Sequence, residues 1–173
     1  MKVSQILKED KEEYTIPLKI ISANKKVIDL GEDAFPNLLA TFTTNYDSSN
    51  TNRDNNITLA TAKLNGAIVN PGEEFSYNKQ VGKRTIEAGF KEAKAYAGGK
   101  VVLDVGGGIC QVSSTLYNTA LLANLDITER HNHYFRTSYV ADGRDATVSW
   151  GTLDFKFKNT RKYPIKIVAQ AGD

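Results

Sequence analysis

Residues 104–133 read DVGGGICQVSSTLYNTALLANLDITERHNH, and the way this run folds decides what the rest of the chain packs around. From about Gln111 to Ala123 it carries Val112, Leu116 and Ala120 at the spacing of one helical face, so a helix is expected there. Gly106, Gly107 and Gly108 precede it, and the only cysteine of the chain, Cys110, sits where the glycine loop becomes the helix. A helix start presents unpaired N–H groups and the positive end of the helix dipole, and both favour a thiolate over a thiol. Three glycines also let the backbone pass close to a substrate. The same residues support a plainer reading, in which the glycines make a tight turn and Cys110 fills a small apolar gap, as free cysteines often do.

The two histidines of the chain, His131 and His133, both lie at the far end of this run. Beyond them, HYFRTSYV and DATVSW alternate polar and apolar residues on either side of an Asp142-Gly143 turn, which predicts a hairpin. In that hairpin Tyr139 faces Ala146, Thr137 faces Val148 and Phe135 faces Trp150, giving an apolar face that suits packing on the helix. Continuing the register sets His133 opposite Thr152 with Asp154 as a diagonal neighbour. Cys110 as nucleophile, His133 as base and Asp154 as the orienting acid then form a set. Asp145 is the competing acid: this register turns it to the opposite face with Thr147 and Ser149, but a bulge at Gly151 would turn Asp154 away instead.

Around that set, Gln111 and the Cys110 N–H are candidate donors to an oxyanion, with Gly107 and Gly108 lining the approach. Arg53 suits a substrate carboxylate, or equally a tie between the first helix and the glycine loop. Tyr134, Tyr139 and Trp150 are candidates for the wall of a binding groove. Cys110, His131 and His133 lack an apparent fourth ligand for a metal, so no metal and no cofactor are expected.

The chain of 173 residues has 22 Lys and Arg against 20 Asp and Glu, a balance of +2 with the signs interspersed. Nucleic acid is therefore not an expected partner. One cysteine excludes an internal disulfide. No run approaches the roughly 20 apolar residues of a membrane span. The polar start MKVSQILKEDKEEY lacks the apolar region of a signal peptide, so attachment to a membrane is expected only through segments outside this chain. Short alternation in YTIPLKIIS and KKVIDL suggests one or two strands within residues 1–40, which look like the end of a preceding domain. From residue 41 onward a helix at about Asp54–Asn65 closed by Gly66, a short aromatic strand in EEFSYN, a strand-turn-strand unit in FKEAKAYAGGKVVLDV and later strands in LDFKFKN and YPIKIVA complete an α+β domain. Its antiparallel sheet packs on a central helix that begins at the cysteine.

The runs FSYNKQVGKR, GGGICQVSSTLYNTALLANLDITERHNH and YVADGRDATVSWGTLDFKFKN closely resemble the VanW family of bacterial cell-envelope proteins, over roughly Thr41 to Ile167. That resemblance implies an envelope location, a vancomycin-resistance context and peptidoglycan or its peptides as partner, with residues 41–173 as the VanW-like domain. It also implies that residues 1–40 are the tail of a peptidoglycan-binding-type domain, and that the chain is the extracellular part of a membrane-anchored or secreted protein. The order of Cys110 at a helix start, then His133, then Asp154 in WGTLD is more distantly similar to transglutaminase and papain-like cores. This implies a cysteine amidohydrolase or a transpeptidase; the other reading is a non-catalytic module that binds peptidoglycan or an envelope protein.

Overall fold

In the computed structural model, which describes residues 34–97 and 100–172, the first helix α1 (Thr51–Leu64) starts ahead of the expected Asp54. Asn50 caps it by accepting the Arg53 N–H, Asp54 lies in its first turn and Lys63 in its last, as the dipole favours. Ile57, Ala60, Thr61 and Leu64 form its buried face. Gly66, at φ 84°, carries the chain away. There follow β1 (Ile68–Val69), β2 (Glu74–Ser76), α2 (Tyr77–Val81), β3 (Glu92–Ala97), β4 (Lys100–Val105), α3 (Ile109–Leu122), β5 (Asp126–Glu129), β6 (Lys156–Lys158) and β7 (Ile165–Lys166). All strand pairs are antiparallel, β1 with β7, β3 with β4, and β6 between β2 and β5. This is an α+β fold. The strands expected in YTIPLKIIS and KKVIDL lie outside the described residues.

α3 packs against α1 and β5, and its Val112, Leu116 and Ala120 join Tyr77, Phe155 and Phe157 in one core. Burying side chains of this size contributes about 1.5–3 kcal/mol each. Phe75 of β2 stacks on Phe157 of β6 at 4.9 Å between ring centroids, which fixes the central strand pair. The α3 helix starts at Ile109, just ahead of Cys110 and of the expected Gln111, because Gly108 at φ 106° supplies the left-handed N-cap. The glycine loop is tight for packing reasons. A Cβ on Gly107 would lie 2.5 Å from the Ala93 carbonyl oxygen, and one on Gly108 2.8 Å from Cγ of Arg53. Asn56 of α1 secures the loop, donating to the Lys91 and Gly107 carbonyls at 2.8 and 3.0 Å while accepting the Lys91 N–H at 2.8 Å.

The expected hairpin over residues 133–150 is absent. The Asp142-Gly143 turn does form, with the Arg144 N–H donating to the Ala141 carbonyl at 3.0 Å, but its flanks do not pair as strands. On the flank after the turn, backbone groups are taken by polar side chains of α3. The Ala146 N–H donates to Ser114 Oγ at 2.9 Å, Ser113 Oγ donates to the Ala146 carbonyl at 2.7 Å and Asn118 Nδ2 to the Arg144 carbonyl at 2.7 Å. A segment whose donors and acceptors are satisfied by a helix has none left for a sheet ladder. Val148 is buried under α3, but Phe135 and Trp150 are 43% and 47% exposed, so the apolar sheet face built on that register does not exist. The strand after α3 is β5, earlier in the chain than HYFRTSYV.

Candidate functional site

Cys110 occupies the first turn of α3, half-buried, with its Sγ 3.6 Å from both Thr147 Oγ1 and the Val148 carbonyl oxygen. The stitching of residues 144–148 to α3 brings that strip across the thiol. It also brings Asp145 to the histidine: Asp145 Oδ2 accepts the His133 main-chain N–H at 2.6 Å and its ring Nδ1–H at 2.7 Å. With Nδ1 donating to the carboxylate, Nε2 is the ring nitrogen left over, and His133 and Cys110 act on one another electrostatically, each moving the other's titration. Arg130 holds the acid from the other side, its Nη2 2.8 Å from Asp145 Oδ1 and its Nε 2.7 Å from the Asp145 carbonyl.

Burial by itself would push the Cys110 thiol up; the hydrogen bond with His133, a backbone bond at Val148 and the imidazole charge outweigh it, and the thiol titrates below its ordinary value. For His133 burial acts downward, but the hydrogen bond and charge of Cys110, followed by those of Asp145, raise it above the usual imidazole value. Burial acts upward on Asp145, and the His133 main-chain and ring hydrogen bonds with the imidazole charge bring it below the usual carboxylate value. All three directions favour a thiolate, an imidazolium and a carboxylate in a row.

Asp154 is placed elsewhere. Its carboxylate accepts from Ser76 Oγ at 2.5 Å, from the Asn78 N–H at 2.9 Å and from the Phe155 N–H at 2.8 Å, so it caps α2 and does not reach His133. The acid on the histidine is Asp145, because the register that paired His133 with the Asp154 neighbourhood requires the missing hairpin. Gln111 is 2% exposed and fully engaged: Arg53 Nη2 donates to its Oε1 at 2.6 Å, and its Nε2 donates to Thr44 Oγ1 at 3.0 Å and to the Asn45 carbonyl at 2.9 Å. No proton of that amide is left for an oxyanion. Arg53 ties α1 to α3 through this bond, and its guanidinium lies 5.9 Å from the Tyr46 ring centroid. Gly107 is buried against β3, and Gly108 meets Arg53, so the loop supports the helix start more than it lines an approach.

His131 turns away, its Nε2 3.0 Å from Glu129 Oε1. Among the described residues no three His, Cys, Asp or Glu side chains converge as a metal site. Tyr134 is exposed and packs edge-on against Phe135 at 5.2 Å. Both border an open cleft of about 390 Å³ whose lining includes His133, Asp142, Gly143 and Asp145. Sequence reasoning missed Ser113, Ser114, Asn118 and Arg130, which deliver Asp145 to the site. Three polar residues on the buried side of α3 were the available signal.

A family model described as VanW like protein matches residues 52–173. The chain belongs to the VanW family. This VanW-like domain is 46% identical over 132 residues to the uncharacterized protein YoaR of Bacillus subtilis (strain 168), covering 76% of the chain and 44% of YoaR. It is 35% identical over 109 residues to the vancomycin B-type resistance protein VanW of Enterococcus faecalis (strain ATCC 700802 / V583), covering 60% of the chain and 40% of that protein. The chain thus spans less than half the length of either relative. No solved structure gives a significant match, so the similarity to transglutaminase and papain-like cores rests on residue order alone. Among the described residues no helix is long and apolar enough to cross a membrane.

Proposed function

We propose that this VanW-like domain is a cysteine-dependent peptidase or acyl transferase acting on amide bonds of peptidoglycan peptides at the outer face of the cell envelope. The observation that carries the reading is the arrangement around Cys110: a half-buried thiol in a helix's first turn lies 3.6 Å from Thr147 Oγ1, on the same strip as Asp145, and that carboxylate is 2.7 Å from Nδ1 of His133, the ring that lowers the thiol's titration. In such a set the Cys110 thiolate attacks the carbonyl carbon and forms a C–S bond, and the C–N bond breaks as His133 gives the departing amine its proton. Water or a second amine then attacks the thioester, His133 accepting its proton, and the thiolate is restored. General acid–base catalysis of this kind contributes about 10²–10⁴-fold. The envelope setting and the peptidoglycan substrate are suggested by the relative named for vancomycin resistance.

A second reading, a non-catalytic module that binds peptidoglycan or an envelope protein, is favoured by the exposed Tyr134, Phe135 and Trp150. Incubating the protein with purified peptidoglycan peptides and following products by mass spectrometry separates the two. The enzyme reading expects cleaved or exchanged peptides from the wild type and none from Cys110→Ala. Retained binding with no Cys110-dependent product would replace it with the binding module.

A further inference from the structure

One charged side chain lacks the partners that its burial calls for. Nε and Nη2 of Arg84 are both buried and have no hydrogen-bond acceptor among the described residues. Nη1 donates to the Gly82 carbonyl at 3.2 Å, and none of the ion pairs among the described residues includes Arg84. The guanidinium lies instead 5.6 Å from the centroid of the Tyr77 ring, and burial holds that phenol far above its ordinary value, so the ring is neutral. A ring face attracts the charge but leaves the in-plane N–H groups unpaired. Unpaired donors on a buried charged group are costly, and in native structures they mark a functional role or a missing ligand.

The surroundings of Arg84 tie this deficit to the candidate site. Its stem packs on the glycine loop, where a Cβ on Gly106 would lie 2.9 Å from Arg84 Cγ and 3.0 Å from its Cβ. The Tyr77 hydroxyl, on the ring that faces the guanidinium, donates at 3.2 Å to the carbonyl of Ile109, the residue that precedes Cys110. Arg84 thus stands at the start of α3, where the helix dipole is positive and the first turn holds no acid. A further positive charge is unfavourable there until something negative joins it.

We propose that Arg84 binds a carboxylate of the substrate, so that this domain selects peptides with a free carboxylate near the amide that Cys110 attacks. Nε–H and the adjacent Nη2–H leave the guanidinium along one edge, the arrangement that grips both oxygens of a carboxylate. A bound carboxylate satisfies both donors, neutralises the charge and suits the dipole of α3. Arg84 as a whole is half-buried, so the edge lies close beneath the surface and comes within reach of a ligand as the long side chain turns. A peptide offers such a group at its C-terminus or on an acidic side chain.

The inference deepens the proposed function and rests on it for the peptide, but binding tests it without turnover. A synthetic peptidoglycan peptide is titrated calorimetrically into Cys110→Ala of the full chain, which removes the thiol. Three forms are compared: both carboxylates free, the C-terminal one as its amide, and the side-chain one as its amide. At least one amide should bind about tenfold to 10²-fold more weakly than the free acid, and it identifies the carboxylate that Arg84 holds. Adding Arg84→Gln should weaken the free acid to the level of that amide, with a melting temperature unchanged or raised, since an unpaired buried charge is gone. Arg84→Lys keeps the charge without the two-donor edge; it should lose part of the preference, and it serves in place of Arg84→Gln if that variant does not fold. Equal affinity for all three forms, a preference that survives Arg84→Gln, or no binding of the free acid at millimolar concentration overturns the assignment. A preference that is lost with Arg84 while the wild type yields no Cys110-dependent product leaves the carboxylate site standing and removes the enzyme reading.

Discussion

Asp145 and Asp154 are the same side chain at the same burial, each 8% exposed, and the protein uses them in opposite ways. Asp154 accepts hydrogen bonds from a serine hydroxyl and two backbone N–H groups, all uncharged, and joins β2, α2 and the Asp154–Phe155 corner. Asp145 accepts from an imidazole and a guanidinium, and the imidazole is coupled electrostatically to a thiol. A buried carboxylate answered by backbone donors holds a structure in place. One answered by a titrating ring can pass its charge on to a third group, so the partners decide the role and burial does not.

The largest effect expected from this contrast is on stability. Asp154→Ala leaves the Ser76 hydroxyl and the Asn78 and Phe155 N–H groups without their acceptor, a loss of about 3 kcal/mol or more, a large part of a typical folding free energy. Urea unfolding should show it, while alkylation of Cys110 in the folded fraction keeps its wild-type pH profile. A variant as stable as wild type would erase the distinction between the two acids.

Asp145→Asn should do the reverse. The amide keeps the shape but withdraws the charge that raises His133, and a change of one pKa unit in the pair corresponds to about a tenfold loss of Cys110 alkylation rate at pH 6. Stopped-flow or mass-spectrometric alkylation at that pH, together with a urea curve that moves less than that of Asp154→Ala, sharpens the comparison. Asp145 should also contribute to the acid limb of stability. Its folded value lies below the unfolded one near 3.9, so its contribution is present above about pH 4 and lost as the pH falls through the folded value.

The smallest effect belongs to Glu129, whose carboxylate is pulled to about 2, first by Lys156, whose Nζ lies 2.8 Å from Oε2, with burial opposing and the Asp154 N–H and His131 assisting. Its contribution is present above the unfolded value near 4.3 and lost as the pH falls toward 2, and because the side chain is 28% exposed it is under about 1 kcal/mol. Glu129→Gln should therefore change the urea midpoint at pH 6 only slightly and the midpoint at pH 2 less still. A large shift at neutral pH would mean that this exposed cluster, and not the Asp154 cap, carries the stability of the region.

Local patterns in the sequence announce the helix face of Val112, Leu116 and Ala120, the pairing of β3 with β4, and the α+β class, because each depends on neighbours a few residues apart. The Asp142-Gly143 turn was equally legible. Its flanks were not, since period-two alternation describes side-chain burial, while a strand also needs a partner for its backbone. Ser113, Ser114 and Asn118 had already claimed those backbone groups from the buried side of α3. The choice of Asp154 over Asp145 inherited that error, for it depended on counting along a ladder that does not form. Gln111 read as a donor to an oxyanion at the helix start, because its partners, Thr44, Asn45 and Arg53, come from the other end of the domain and no local pattern announces them. Asn56 likewise reads as an ordinary helical asparagine until Lys91 and Gly107 are seen against it.

The coupling of Cys110 to His133 is tested most directly by the rate of iodoacetamide alkylation of Cys110 against pH, in the wild type and in His133→Ala. With the thiol lowered by the imidazole, the wild-type rate should rise with an apparent pKa below the roughly 8.5 of a free cysteine, and the variant should lose that advantage and titrate at or above it. Superimposed profiles, both with an apparent pKa at or above the free-cysteine value, would contradict it and make Cys110 a packing residue.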